Sequence, residues 1–202
     1  MRGVEKSECT EFAPPEDWYE PEAEGSADYG IVVQSPGHGF RHVLTPEEIR
    51  SRLALLPSEV LKPLDLIQLG RMTRKKLSFP CYGMQWGQTL YLYPIEESLI
   101  EYYARPPCPA QMNEARMYGG KWVQKGDEWK LVWPEAAIKD FYLNNILIHE
   151  LGHLLDNRNT SYTDRERYAE WFAIEHGFKQ SKNRFSNSRP ARTRVRRRHH
   201  AG

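Results

Sequence analysis

The chain has 202 residues, of which 40% are hydrophobic, and its 28 basic and 27 acidic residues leave a formal net charge of +1. This length suits one domain with terminal segments, and no stretch approaches the about 20 apolar residues that a membrane-spanning helix needs. The three cysteines show no C-x-x-C spacing, which argues against a disulfide framework and favours a reducing compartment.

The near-neutral net charge conceals two strongly charged ends. Residues 1–28 contain nine acidic residues against Arg2 and Lys6, whereas residues 179–202 contain nine Lys or Arg and no acid. Both compositions predict disorder, so we expect the folded domain to span residues 29–178. The acidic segment also lacks the apolar core of a signal peptide, and we therefore expect a cytoplasmic protein without membrane contact.

The first part of the expected domain combines strand and helix patterns. Residues 31–33 and 40–44 predict short strands, and residues 61–69 are apolar enough for a strand or a short helix. Residues 45–48, with the sequence T-P-E-E, predict a helix start, with an N-cap Thr and Pro at the first helical position. That helix should reach about residue 56, and the basic run at residues 73–76 is typical of a solvated turn.

The next part is richer in strand patterns. Residues 83–95 favour an extended chain, in which residues 88–93 alternate with the two-residue period of a strand. Residues 96–103 predict a short helix, and the proline-rich residues 105–109 predict a rigid loop. Two further strand patterns flank a turn at residues 125–127 and predict a β-hairpin. Together these patterns predict an α+β fold.

A long helix beginning at Pro134 carries the most informative motif. Apolar residues recur at helical spacing as far as Leu155, and residues 149–153 match the H-E-x-x-H pattern. Residues four apart lie on one face of a helix, so His149 and His153 can bind one Zn²⁺ ion, which accepts nitrogen ligands. Glu150 is then placed to take a proton from water at the ion.

The alternative is that these are only polar residues on a partly exposed helix. The helix is mostly apolar, however, and a buried His or Glu is unfavourable unless it is paired or binds a metal. Gly152 weakens a helix interior by about 1 kcal/mol relative to Ala. Its presence therefore predicts that a neighbouring segment approaches closely there.

Residues 146–178 resemble the zincin metallopeptidases. In that clan the two histidines of the motif bind zinc and the glutamate is the general base, which implies these roles for His149, His153 and Glu150. The resemblance also implies a zincin-like fold, a small mixed sheet packed on the active-site helix, with a second helix carrying the third ligand. The extended metzincin motif requires Gly at position 156 and His or Asp at position 159. This chain differs at both positions, so membership of the metzincin subclass is not expected.

A catalytic zinc usually has three protein ligands and a water, and gluzincins take the third from a Glu on the next helix. Residues 163–166 fit a capping box, in which Glu166 only caps that helix. Residues 166–173 also resemble the E-x-x-A-[D/N/E]-x-F-A run of small gluzincins of the ImmA/IrrE type. That resemblance implies Glu166 as the ligand and Glu170 as a partner of a ligating His. Other candidate ligands are Glu170 itself, Glu175, Asp164 and Asp156.

Three further features concern catalysis and the end of the domain. The candidate donors to the oxyanion are Tyr162, Arg165, Tyr168 and His176. By its place in the chain, the strand at Thr89–Tyr93 is the candidate for the edge strand that pairs with an extended substrate in zincins. Gly177 predicts a helix C-cap, so the domain should end near Phe178.

The sequence thus predicts a zinc-dependent metallopeptidase that acts on a peptide or protein. It contains no P-loop, dinucleotide fingerprint or serine nucleophile elbow. A second hypothesis is a protease tethered to nucleic acid by the basic tail 179–202, in outline similar to SprT-like and ImmA/IrrE-type proteases. A third is a noncatalytic binding module with structural zinc, which a fourth protein ligand would mark.

Overall fold

The computed structural model describes residues 15–17, 29–78 and 81–187 and confirms a mixed α+β fold. Its strands are β1 (Gly30–Val33), β2 (Phe40–Arg41), β3 (Leu66–Leu69), β4 (Gly83–Trp86), β5 (Thr89–Leu92), β6 (Ile95–Glu96), β7 (Ile100–Tyr103), β8 (Lys121–Lys125) and β9 (Glu128–Val132). Its helices are α1 (Pro46–Leu53), α2 (Arg74–Ser78), α3 (Pro109–Tyr118), α4 (Glu135–Phe141), α5 (Leu147–Leu155), α6 (Tyr162–Ala173) and α7 (Lys179–Asn187). A 3₁₀ turn lies at Ser58–Val60, and π-helical segments lie at Tyr142–Ile146 and Ile174–Phe178.

A mixed sheet in the order β1-β3-β5-β4 supports the candidate site. β1, β3 and β5 are parallel, whereas β4 pairs antiparallel with β5 and ends the order. Every residue of β3 and β5 is buried, as expected of inner strands. The prediction that Thr89–Tyr93 forms the edge strand is therefore wrong, because the alternation at 88–93 indicates a strand but not its neighbours. The sheet has β1 and β4 at its edges, and β4 is the edge strand that contacts α5.

The start of α1 confirms the predicted Thr N-cap and forms a capping box. The Glu48 amide donates to Thr45 Oγ1 at 3.3 Å, and the Thr45 amide donates to Glu48 Oε2 at 2.9 Å. The helix ends at Leu53, three residues earlier than predicted. Of the undecided residues 61–69, the last four form β3, and the basic run at 73–76 leads into the short helix α2 rather than a plain turn.

The helix predicted at residues 96–103 is wrong, because this segment contains the end of β6 and the whole of β7. Leu99 has a φ of 56°, a left-handed conformation that interrupts a helix, and β7 gains its hydrogen bonds by pairing antiparallel with β9. The predicted hairpin is confirmed as β8 and β9, so the second sheet has the order β7-β9-β8. The helix α3 was not predicted from the sequence, and it has Pro109 as its first residue.

The helix predicted from Pro134 is confirmed as α4, a π-helical segment and α5. It packs against the mixed sheet, and the core between them includes buried side chains from both layers. The fully buried members of this core include Ile67 and Leu90 from the sheet and Leu147 and Leu151 from α5. Burying this apolar surface fixes which face of α5 is left for its histidines.

The predicted helix end at Gly177 is wrong, since the chain continues from α6 through a π-helical segment into α7. Gly177 lacks the positive φ of a left-handed C-cap. A Cβ added there would lie 1.8 Å from the Asn144 carbonyl oxygen, so this glycine permits two helices to cross. The tail therefore does not begin at 179 as predicted, and its remaining part, residues 188–202, lies outside the described residues.

Most of the acidic segment 1–28 also lies outside the described residues, so its predicted disorder stays a prediction. Residues 15–17 are described, and Asp17 contacts the mixed sheet. Its carboxylate pairs with Arg71 at 2.7 Å, and its carbonyl oxygen accepts from Gln68 Nε2 at 3.2 Å. Within the described part of the chain, we find no helix with the length and apolar content needed to cross a membrane.

Candidate metal centre

The helix α5 presents His149 and His153 on one face. The two residues are one helical turn apart, so their rings lie side by side, with centroids 4.7 Å apart. Their Nε2 atoms are 3.1 Å apart. Both imidazoles therefore direct the same kind of donor atom at one point.

The third member of the group, Glu166, comes from α6. This helix begins at Tyr162, and its N-cap is Ser161, whose Oγ accepts from the Asp164 amide at 3.2 Å. The predicted capping box at 163–166 is therefore wrong, since the cap lies two residues earlier and does not involve Glu166. Glu166 Oε2 is 3.5 Å from His149 Nε2, and its Oε1 is 3.3 Å from His153 Nε2.

The two helices can bring these groups together because their backbones approach closely at Gly152. A Cβ added to Gly152 would lie 3.0 Å from Ala169 Cα and 3.1 Å from Phe172 Cβ. The small side chain of Ala169 on α6 completes the contact. This confirms the close approach predicted from Gly152, and it sets the distance at which Glu166 meets the histidines.

The donor atoms of His149, His153 and Glu166 all lie within 4.8 Å of one another. Zinc bonds of about 2.0–2.1 Å at tetrahedral angles require neighbouring donors about 3.3 Å apart. The observed separations of 3.1, 3.3 and 3.5 Å bracket this value, although the last two involve different oxygens of Glu166. Two imidazole nitrogens and a carboxylate oxygen are also a donor set that zinc accepts, so the residues fit the ion.

The electrostatics of the group favour a bound cation. Burial lowers the pKa of His149, but the hydrogen bond to Glu166 and the charges of Glu150 and Glu166 outweigh it and raise the pKa overall. Burial raises the pKa of Glu166, but its hydrogen bonds to both histidines outweigh this and lower the pKa to about 2. A group with this charge balance holds either a proton or a metal ion.

The side chain of Glu150 extends from α5 toward the edge strand β4, and 7% of the residue's surface is exposed. Gly83 of β4 is necessary for this position, because a Cβ there would lie 2.9 Å from both Cγ and Oε1 of Glu150. Burial raises the pKa of Glu150, while the charges of His149 and His153 oppose the increase without cancelling it. The carboxylate is therefore desolvated and held beside the metal-ligand candidates.

The other proposed ligands lie outside this group. Asp156 instead accepts from the Arg158 and Asn159 amides at 3.3 and 3.1 Å and stabilises the turn after α5. Asp164 pairs with Arg167, and Glu175 pairs with Lys179. Glu170 is exposed on α6 and does not join the histidines and Glu166.

The candidate oxyanion donors are distributed over α6 and the following turn. Tyr168 packs on Phe172 with ring centroids 6.2 Å apart, His176 packs on Phe172 at 4.4 Å, and Tyr162 is half exposed. Arg165 lies differently, because its Nη2 donates to the His153 carbonyl oxygen at 3.3 Å and to Gln85 Oε1 at 3.4 Å. Of the four, Arg165 thus contacts both the histidine helix and the edge strand.

Two site residues on β4 were missed in the sequence. Gly83 admits Glu150, and Gln85 contacts Arg165. The available signal was a short extended segment of residues 83–86 ending at Gly87, whose φ of 57° turns the chain into β5. Its importance depends on its place at the sheet edge, which the local sequence does not show.

No protein-family model, curated protein or solved structure matches this chain. Any functional conclusion therefore depends on the residues and their arrangement.

Proposed function

We propose that this protein is a zinc-dependent metallopeptidase of gluzincin-like arrangement, with His149, His153 and Glu166 as metal ligands and Glu150 as general base. One observation carries the proposal. Two imidazoles and a carboxylate from successive helices converge within 4.8 Å, and a buried glutamate directly follows the first histidine. A purely structural metal site has no need of such a base.

Zinc at this group supplies Lewis-acid chemistry, which polarises a scissile carbonyl and acidifies water. Glu150 accepts the proton of the attacking water and returns it to the leaving amine nitrogen. Burial raises the pKa of Glu150, which favours uptake of a proton by this carboxylate. Arg165 is a positioning residue, since it joins the His153 carbonyl to Gln85 on β4.

The position of the edge strand β4 supports the proposal that the substrate is a peptide. Its outer side carries no further strand among the described residues. Apart from the Gln85 amide, which interacts with Glu150, its outward backbone groups can pair with an extended polypeptide. Gly83 of this strand lies against Glu150, so a peptide paired there would pass beside the proposed base. A mixed sheet with such an edge, followed by α5 and α6, also supports the zincin-like arrangement that we propose from the sequence resemblance.

The decisive variant is Glu150→Gln, which keeps the shape of the side chain but cannot accept a proton. We expect it to bind as much zinc as the wild type and to lose peptidase activity on an unfolded protein substrate by about 10²–10⁴-fold. Bound zinc is measured by atomic absorption and cleavage by mass spectrometry. Glu170→Gln, with the same chemical change on the exposed face of α6, is the matched control and should retain activity. Full activity of Glu150→Gln would overturn the proposal.

The remaining hypotheses differ in their support. A structural zinc site needs a fourth protein ligand, and within the described ranges no further His, Cys, Asp or Glu joins the group. Tethering to nucleic acid concerns the basic tail, whose residues 188–202 lie outside the described part, so it stays a prediction. We also propose a reducing, cytoplasmic environment, because the spacing of the three cysteines is not that of a disulfide framework.

A further inference from the structure

A cavity of about 90 Å³ lies between the second sheet and the helices α3 and α4. By the same measure, one water molecule needs roughly 10–15 Å³, so this cavity can hold several waters or the end of a long side chain. Its walls are mainly aromatic rings, contributed by Tyr82, Tyr103, Trp122, Trp133 and Phe141. We call it the aromatic cavity.

Two tyrosines give this cavity acceptor oxygens. The hydroxyls of Tyr82 and Tyr103 donate to Glu101 Oε2 at 2.6 and 3.2 Å. Because each hydroxyl has a single proton, which is committed to Glu101, its oxygen can only accept from any other partner. The hydrogen-bonding pattern around Glu101 therefore prepares the two tyrosines to receive a donor.

The cavity wall also contains a polar group, which favours water or another polar group inside the cavity over an empty, apolar interior. The indole nitrogen of Trp122 is buried and has no hydrogen-bond partner among the described residues, whereas the side chain of Trp133 interacts with Glu101. A buried donor without an acceptor is unfavourable. Water that enters the cavity can accept from this indole N–H and remove the penalty, whereas an ammonium or guanidinium group only donates and cannot.

The acidic groups around the cavity favour a positively charged occupant. Glu114 lies at its rim, Glu101 lies behind the two tyrosines, and no Lys or Arg lines it. A cation over aromatic faces is attracted by the electron-rich rings, and more strongly when it is desolvated. Electron-rich ring faces, acceptor oxygens and a carboxylate rim together favour an ammonium or guanidinium group.

The aromatic cavity adjoins the candidate metal centre. Glu114 Oε1 accepts from Asn145 Nδ2 at 2.5 Å, and Asn145 is one helical turn before His149. On the other side, Tyr82 directly precedes Gly83, which lies against Glu150. A substrate chain that passes the proposed base can therefore direct a nearby side chain into the cavity.

We infer that the aromatic cavity binds a Lys or Arg side chain of the substrate and directs cleavage to bonds near basic residues. This inference rests on the proposed peptidase function and names its substrate class. The apolar stem of the side chain contacts the rings, and its charged end meets Glu114 and the tyrosine oxygens.

The binding test uses the full-length, zinc-loaded Glu150→Gln protein, which should bind peptides without cleaving them. The probes are acetylated and amidated pentapeptides of alanine whose central residue is Arg, Lys, norleucine or Glu. Titration is followed by intrinsic tryptophan fluorescence, because Trp122 and Trp133 line the cavity. We expect the Arg and Lys peptides to bind at least about tenfold more tightly than the norleucine and Glu peptides, as a difference of 1.4 kcal/mol implies.

The variant Glu114→Gln tests the rim charge, because its amide oxygen can still accept from Asn145. We expect it to reduce the preference for basic peptides, whereas Glu128→Gln, an exposed change on β9, should leave the preference unchanged. Equal binding of norleucine and lysine peptides would overturn the inference. So would an unchanged preference in Glu114→Gln.

Cleavage by the wild-type protein separates this inference from the proposed function. A mixed unfolded substrate is digested, and the residues around each cut are counted by mass spectrometry. Cleavage without enrichment of Lys or Arg around the cut bonds would contradict the role assigned to the cavity, but it would agree with the proposed peptidase function. Selective binding of basic peptides without any cleavage would contradict the proposed peptidase function. It would also show that the cavity binds cations without a role in peptide hydrolysis.

Discussion

The role of Glu166 depends on Ser161, a residue that is not part of the candidate metal centre. Ser161 caps α6, and Glu166 is therefore left free to face His149 and His153 rather than the helix start. A glutamate at the third helical position can serve as either cap or ligand, and the sequence alone supports both. The choice between the two roles depends on where the helix begins.

Glu166→Gln should weaken zinc binding by about 100-fold or more, since second-shell changes alone lower metal affinity by about 10–100-fold. The affinity is measured by competition with a coloured chelator at pH 7. Glu170→Gln, one turn further along the same helix, should bind zinc like the wild type. If the two variants behave in the opposite way, Glu170 is the ligand.

Asp156 stabilises the turn between α5 and α6. Burial raises its pKa, but the hydrogen bonds from Asn159 and Arg158 outweigh it and lower the pKa overall. A lowered pKa means that the carboxylate stabilises the fold above the unfolded-state value of about 3.9 and loses this effect as the pH falls through the folded-state value. The stabilisation should therefore be complete at neutral pH and absent in strong acid.

Asp156→Asn should accordingly lower the free energy of unfolding by about 1 kcal/mol at neutral pH. Urea unfolding of both proteins is measured from neutral pH downwards. The difference between them should shrink once the pH falls below about 4. Asp127→Asn, in the exposed β8–β9 turn, should show no such pH-dependent difference. A constant difference at all pH values would contradict the assignment.

At the scale of elements, the two π-helical segments and two glycines determine how the helices meet. The segment Tyr142–Ile146 directly precedes the histidine motif, and Asn144 within it contacts Gly177 of the segment Ile174–Phe178. π-helical turns are rare and often lie at functional sites. Here their crossing positions the helices that carry His149 and Glu166.

Gly177→Ala separates helix propensity from this packing. Propensity alone predicts a gain of about 1 kcal/mol, but the new Cβ would lie 1.8 Å from the Asn144 carbonyl oxygen. We expect a loss of more than about 3 kcal/mol, beyond the range of ordinary overpacking. Urea unfolding monitors the change. Gly152→Ala, where the nearest atom is 3.0 Å away, should cost less, and a stabilised Gly177→Ala would refute the packing explanation.

At the scale of the whole molecule, the candidate metal centre joins elements that are separate in the chain. The mixed sheet supplies the edge strand β4, α5 supplies two ligand candidates and the base, and α6 supplies Glu166. An ion bound to both helices stabilises only the folded arrangement. Its binding free energy therefore adds to the stability of the domain.

Metal removal should therefore lower the melting temperature. Zinc at 100 times its dissociation constant contributes about 2.7 kcal/mol, which corresponds to roughly 5–10 °C for a domain of this size. Differential scanning calorimetry with zinc and with a chelator measures the shift. Glu150→Gln should show the wild-type shift, and Glu166→Gln should show a smaller one. A wild-type protein that melts identically in both conditions does not bind zinc.

The sequence by itself determined what depends on local periodicity and spacing. The α1 cap, the β8–β9 hairpin, the long helix and the shared face of His149 and His153 all follow from contacts within a few residues. The close approach at Gly152 was also predictable, since a glycine in an apolar helix interior is unfavourable without such a contact.

Only the tertiary structure decided the features that depend on distant partners. Pairing with β9 makes residues 100–103 a strand, the sheet order makes β4 the edge, and the Asn144 carbonyl explains Gly177. The aromatic cavity likewise joins Tyr82, Glu114 and Trp133 from separate elements. Local sequence determines the free energy of a turn or a helix end, whereas strand order and helix crossing depend on which surfaces are buried together.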